Sequence, residues 1–80
     1  MDKITVKYFG EIAEAINCNE EQITAKSNKL SDLMEYLNTK YNLQRFPIII
    51  ALNQNLIDQN DKITIKNNDE LAILPPFAGG

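Results

Sequence analysis

The stretch "SNKLSDLMEYLNTKY", residues 27–41, sets apolar side chains at Leu30, Leu33, Met34, Leu37 and Tyr41 among polar neighbours. The spacing i, i+3, i+4, i+7, i+11 draws a single stripe along a helix. It predicts a helix over about 30–41. Its N-cap is open between Asn28 and Ser31, because either side chain can accept a first-turn N–H. Asn42 is the expected stop. A helix with one apolar stripe must lay that stripe on another layer, so the fold depends on what the rest of the chain offers.

The rest offers strands. In "KITVKYF", 3–9, Ile4, Val6 and Tyr8 alternate with Lys3, Thr5 and Lys7, the pattern of a half-buried strand ended by Gly10. "EIAEAIN", 11–17, reads as a helix of two turns at most, closed by the Asn17–Asn19 cluster. "EQITAK", 21–26, is a weaker strand placed to pair antiparallel with the first. Pro47 opens "IIIALN", 48–53, with Ile48, Ile50 and Leu52 on one face and Ile49 and Ala51 on the other. "NQN", 53–55, is a turn, and "LID", 56–58, a short return strand. "QNDK" is loop and "ITI", 63–65, a short apolar segment. "KNND", 66–69, is a tight turn with Asn where φ > 0 is needed. "ELAIL", 70–74, is the last strand, with Leu71 and Ile73 on one face and Ala72 and Leu74 on the other. The ten asparagines are scattered and read as composition bias.

The order is β-α-β-α-β-β-β. Burying the helix stripe and the strand faces together requires the long helix to lie across one face of a mixed sheet of four to five strands. The first and last strands then sit side by side in the middle, running parallel. That is an α+β fold of the β-grasp type, with one long and one short helix.

Composition narrows the chemistry. Eighty residues make one domain. Charged residues at 24% and apolar residues at 44% are ordinary for a soluble globular chain. The net charge of −3 argues against nucleic acid as a partner. No stretch has the length and apolarity of a membrane span, and the N-terminus lacks a signal-type apolar core. The single cysteine, Cys18, gives no disulfide framework and fits a reducing compartment. It reads as a small buried or loop residue. A cytoplasmic location is expected. There is no histidine, which removes the usual general base, zinc ligand and triad partner. This argues against an active site of the chain's own.

The chemistry then falls to "LPPFAGG", 74–80. Pro75 and Pro76 have no ladder donor and a fixed φ, so pairing stops there and a stiff extended stalk begins. A domain over 1–74 and a projecting tail over 75–80 are expected. At about 3.1–3.4 Å per residue the tail reaches roughly 20 Å, enough to enter another protein's active site. Ala78, Gly79 and Gly80 have almost no bulk, so the backbone can thread a narrow channel. The carboxylate of Gly80 is ionised at neutral pH and becomes electrophilic only when activated, for instance as an acyl-adenylate. Phe77, beyond the prolines, is an anchor for a partner pocket. Leu74 belongs to the same patch. Phe9, Ile49 and Ala51 either extend it across the sheet or are covered by loops.

The run from Asp69-Glu70 through Pro75-Pro76 to Gly79-Gly80, with "IALNQ" before the turn, resembles the small subunit of molybdopterin synthase, a ubiquitin-like sulfur carrier. The resemblance covers essentially the whole chain. Asn68 stands where that family usually has Gly before the acidic pair, and Asn tolerates the left-handed conformation. The resemblance implies that an E1-like adenylating enzyme activates the Gly80 carboxylate with ATP. A persulfide sulfur donor then converts it to a thiocarboxylate. The tail enters the synthase large subunit, where sulfur passes to a cyclic pyranopterin precursor. Pro75, Pro76, Phe77, Ala78, Gly79 and Leu74 are implied as partner-binding, and the assembly as a heterotetramer of two small and two large subunits. The chain is implied to be a sulfur-carrying, non-catalytic subunit that binds no cofactor or metal itself. The alternatives are a thiamine-thiazole sulfur carrier, a protein modifier attached through Gly80, and a plain interaction domain.

Overall fold

Alternation along the first residues builds strand β1, Asp2–Tyr8, which buries Ile4, Val6 and Tyr8 on one face. The structure, a computed structural model, describes residues 2–58 and 62–76. Helix α1, Gly10–Ile16, follows and buries Ile12 and Ala13. It starts one residue earlier than expected and ends where Asn17 turns left-handed, with φ 56°. Strand β2, Glu20–Ala25, returns antiparallel to β1 with Ile4 opposite Ile23.

Helix α2 spans Leu30–Tyr41, as the stripe requires, and Leu30, Leu33, Met34 and Leu37 are buried. Its N-cap is neither Asn28 nor Ser31. Lys29 occupies that position in an extended conformation with no side-chain cap. The Leu30 N–H donates to the Ile63 carbonyl at 3.0 Å, and Lys29 bridges Thr64. The 63–65 segment therefore satisfies a first-turn donor that a cap would otherwise serve. Ser27 adds a local brace: its Oγ accepts the Lys29 N–H at 3.2 Å and donates to the Asp32 carboxylate at 2.6 Å. Asn42, φ 56°, stops the helix as expected.

A 3₁₀ turn at Leu43–Arg45, absent from the sequence reading, buries Leu43 completely. Strand β3 covers Ile49–Leu52 rather than starting at Ile48. Its partner is strand β5, Glu70–Leu74, with Ile49 opposite Leu74. The next pair outward would need a donor from Pro75, which has none, so the ladder stops at Ile49. Asn53 and Gln54 both have positive φ, 51° and 71°, the two-residue hairpin turn that suits strand twist. Strand β4, Asn55–Ile57, follows. In the 66–69 turn Asn68 has φ 72°.

The sheet order is β2-β1-β5-β3-β4, with β1 and β5 parallel and the other pairs antiparallel. The stripe of α2 joins Val6, Tyr8, Ile23, Ile50, Leu71 and Ile73 in one buried cluster, which Ile12, Leu43 and Ile65 complete. This is the β-grasp arrangement that the element order predicts.

Candidate functional site at the root of the C-terminal tail

The site begins where β5 ends. That strand is central, held between β1 and β3. Two clusters fix its ends. At the start, Asp69 is buried, 3% exposed. Its carboxylate accepts the Asn53 side-chain amide at 3.0 Å and the Lys66 main-chain N–H at 2.8 Å, with the Lys66 ammonium at 3.4 Å. Burial pushes the Asp69 carboxyl up, but these bonds outweigh it and hold it below its ordinary value. Asn53 also clasps Glu70: its N–H donates to the Glu70 carbonyl at 2.8 Å and its Oδ1 accepts the Glu70 N–H at 3.0 Å. The hairpin turn and the 66–69 turn are thus locked together where β5 starts.

At the far end the Phe9 N–H donates to the Ile73 carbonyl at 3.1 Å, and pairing then gives way to Pro75 and Pro76. Pro75 lies against Gly10, where a Cβ would meet its Cγ at 2.9 Å. Gly10 has φ +60°, so both its conformation and its neighbour favour glycine. The stalk thus leaves past the β1–α1 junction. Leu74, Pro75 and Pro76 are half-buried. The expected roles of Phe77, Ala78, Gly79 and Gly80 fall outside the described residues, as does most of the 59–62 loop.

The sheet face opposite α2 carries apolar side chains toward this exit. Leu74 lies opposite Ile49, and Ala72 opposite Ala51. Phe9 continues the alternation of β1 onto the same face and is 43% exposed. The expected grouping of Leu74 with Phe9, Ile49 and Ala51 is therefore present, although Ala51 is 7% exposed and offers little surface. Leu56 was missed. It lies opposite Ala51 and is 74% exposed, the most open large hydrophobic side chain on this face. The hairpin turn and the alternation of the two strands would have found it. A polar border flanks the patch: Lys7 pairs with Glu70 at 3.1 Å, and that carboxylate holds the ammonium above its ordinary value. Cys18 stays away from this site, half-buried in the α1–β2 loop, where its Sγ donates weakly to the Glu20 carbonyl at 3.6 Å. Among the described residues no helix is long and apolar enough to cross a membrane.

Comparison with known proteins adds lineage to this geometry. The model of the ThiS family matches residues 6–80. A molybdopterin synthase sulfur carrier subunit from Drosophila yakuba is 35% identical over 81 residues, covering 96% of this chain and 90% of that protein. A chain in the complex of subunits 1 and 2 of molybdopterin-converting factor from Helicobacter pylori superposes with a TM-score of 0.72 at 34% identity, covering 98% of this chain and 99% of its own. The small archaeal modifier protein 1 of Methanosarcina acetivorans gives a TM-score of 0.77 at 26% identity, covering 100% and 98%. With its central parallel pair, its long helix on one face and a match that runs through the tail, the chain belongs to the ThiS family of ubiquitin-like, β-grasp sulfur carriers.

Proposed function

We propose that the chain is the sulfur-carrying small subunit of a molybdopterin synthase. The observation that carries this is the delivery of Pro75-Pro76 from the end of the central strand, beside an open apolar face, in a chain similar over its length to sulfur carrier subunits. In this reading the working group is the Gly80 carboxylate. An adenylating enzyme joins it to ATP, releasing pyrophosphate and leaving an acyl-adenylate. A persulfide displaces AMP through its outer sulfur and leaves an acyl disulfide; a thiol then attacks the donor-side sulfur, forming a disulfide with the donor and releasing the thiocarboxylate. The tail then enters the large subunit, where the thiocarboxylate sulfur passes to a cyclic pyranopterin precursor. The large subunit is the partner that the Helicobacter complex supports; the adenylating enzyme and the sulfur donor follow from the chemistry of a carboxylate, which reacts only when activated.

Pro75 and Pro76 act as the stalk, Phe77 and Leu74 as anchors, and Ala78, Gly79 and Gly80 as the thread. Phe9, Ile49 and Leu56 add a docking face on the sheet. The experiment is intact-mass spectrometry after incubation with ATP, an adenylating enzyme and sulfide. The expected product carries one sulfur in place of one oxygen, mapped to Gly80. An unchanged mass while the enzyme releases pyrophosphate on a known carrier would sink the reading.

The Methanosarcina relative favours a second reading, conjugation of Gly80 to lysines of other proteins. It predicts covalent adducts of higher mass that resist reducing agents. Thiocarboxylate formation without such adducts leaves only the carrier.

A further inference from the structure

Strand β2 stands at one edge of the sheet, with β1 as its only sheet neighbour among the described residues. The Tyr8 N–H donates to the Asn19 carbonyl at 2.9 Å. With the β1–β2 register, this makes Val6/Glu21 and Ile4/Ile23 hydrogen-bonded pairs. The amides and carbonyls of Gln22 and Thr24, which alternate with them, therefore point out of the sheet. Both residues are exposed. Beside this edge a groove of about 730 Å³ runs between β2 and α2, with apolar lining from Ile23, Ala25 and Leu33 and with Tyr36, 47% exposed, along it.

Edge strands are normally blunted by proline, a bulge or a row of repelling charges. Here β2 has no proline and runs in unbroken register from Glu20 to Ala25. Its terminal charges are of opposite sign: Glu20 at its start and Lys26 just after its end. Glu20 is 4.0 Å from Lys7, whose closer partner is Glu70 at 3.1 Å. Lys26 is in no ion pair among the described residues.

We propose that this edge pairs with the same edge of a second copy of the chain, antiparallel, about a two-fold axis at Ile23. In that register Gln22 lies opposite the second copy's Thr24, and each such pair exchanges both main-chain hydrogen bonds. Glu20 of each copy meets Lys26 of the other. Moving the axis to Gln22 or Thr24 loses both charge pairs, and moving it to Glu21 sets two carboxylates face to face. The two grooves close over Ile23 and Tyr36. The contact is isologous, as two-fold symmetry requires. One strand per copy is a small seam, so the association is weak and reversible. β2 lies beyond β1 from β5, so the dimer leaves the root of the tail open and does not depend on what the tail does.

Sedimentation equilibrium of the full chain, from roughly 10 µM to about 1 mM, tests it. A reversible monomer–dimer equilibrium is expected. Glu20→Lys or Lys26→Glu alone weakens it about tenfold, and the double reversal restores it. Thr24→Pro removes an N–H used only by the seam and abolishes the dimer, with thermal unfolding checking that the fold persists. A chain that stays monomeric at the highest concentration overturns the proposal and leaves the edge to an extended segment of another protein. A dimer indifferent to Glu20→Lys and Thr24→Pro overturns it as well.

Discussion

At the scale of single residues, asparagine does more than its scattered positions suggest. Asn17, Asn42, Asn53 and Asn68 all take positive φ, at two helix ends and two turns. What reads as composition bias is partly backbone punctuation; the stops at Asn17 and Asn42 and the turns at 53–55 and 66–69 were legible, but positive φ was expected only in the last, because it leaves no periodic mark. Asn42→Ala should lower stability by about 1 kcal/mol while Asn42→Gly should not, since only the first meets the left-handed penalty; urea unfolding of the two variants checks this. Glu21 is the other telling residue. It accepts the Tyr8 hydroxyl at 2.6 Å, the Tyr41 hydroxyl at 2.5 Å and the Lys40 ammonium at 3.0 Å, tying β1, β2 and α2 together. Burial pushes its carboxyl up, but these donors outweigh burial and hold it below the usual value. Its contribution is therefore complete above the unfolded carboxyl pKa of about 4.3 and is lost as pH falls through the lower folded value. Tyr8 is shifted the other way, raised by burial and then by the Glu21 carboxylate. Its contribution is complete below about pH 10 and is lost as pH rises toward the folded value. Urea midpoints should thus be flat between these limits and fall outside them. In Glu21→Gln the neutral-pH stability should drop by about 1–3 kcal/mol and the acid-side slope should shrink toward what Asp69 alone supplies.

At the scale of elements, α2 was legible because four buried side chains repeat on one face, and that signal survives any detail of its ends. Its beginning was not legible. The donor at Leu30 is served by Ile63, thirty-three positions away, and no local residue announces that. Ser27, which the sequence reading passed over, supplies the local support instead. The 3₁₀ turn was invisible for a related reason: Leu43 is one buried leucine without a periodic partner, and its burial is decided by the core it caps. Each strand was read to within about a residue at either end, and the start of β3 moved, although Pro47 precedes it, because its partner's next residue is Pro75. These differences give two expectations. Leu37→Ala, at a fully buried position, should cost about 2–5 kcal/mol. Ser27→Ala should cost less, about 0.5–1.5 kcal/mol, one net hydrogen bond's worth. Thermal or urea unfolding separates them, and equal losses would mean that the brace matters as much as the stripe.

At the scale of the whole molecule, the sheet divides the labour. One face holds the core under α2, and the other carries Phe9, Ile49, Leu56 and Leu74 toward the exit of the tail. A substitution on the open face should therefore change association without changing stability. Leu56→Asp, at a side chain 74% exposed, should weaken binding to the large subunit by about tenfold, close to 1.4 kcal/mol, with the unfolding temperature unmoved. Titration calorimetry with the large subunit reads the first quantity and scanning calorimetry the second. The tail should separate from the fold still more sharply. Among the described residues the core closes over Ile73 and Leu71, on the strand that precedes the tail. Gly79→Val adds a branched side chain to the thread, and one extra residue after Gly80 moves the carboxylate away from the activating site. Either change should abolish sulfur loading, read by intact mass, while unfolding remains that of the unaltered chain. Leu37→Ala should do the reverse at a temperature where it stays folded, losing stability but loading normally. If Gly79→Val loads at full rate, the passage that receives the tail is wide enough for a side chain, and the diglycine is not there for its slenderness.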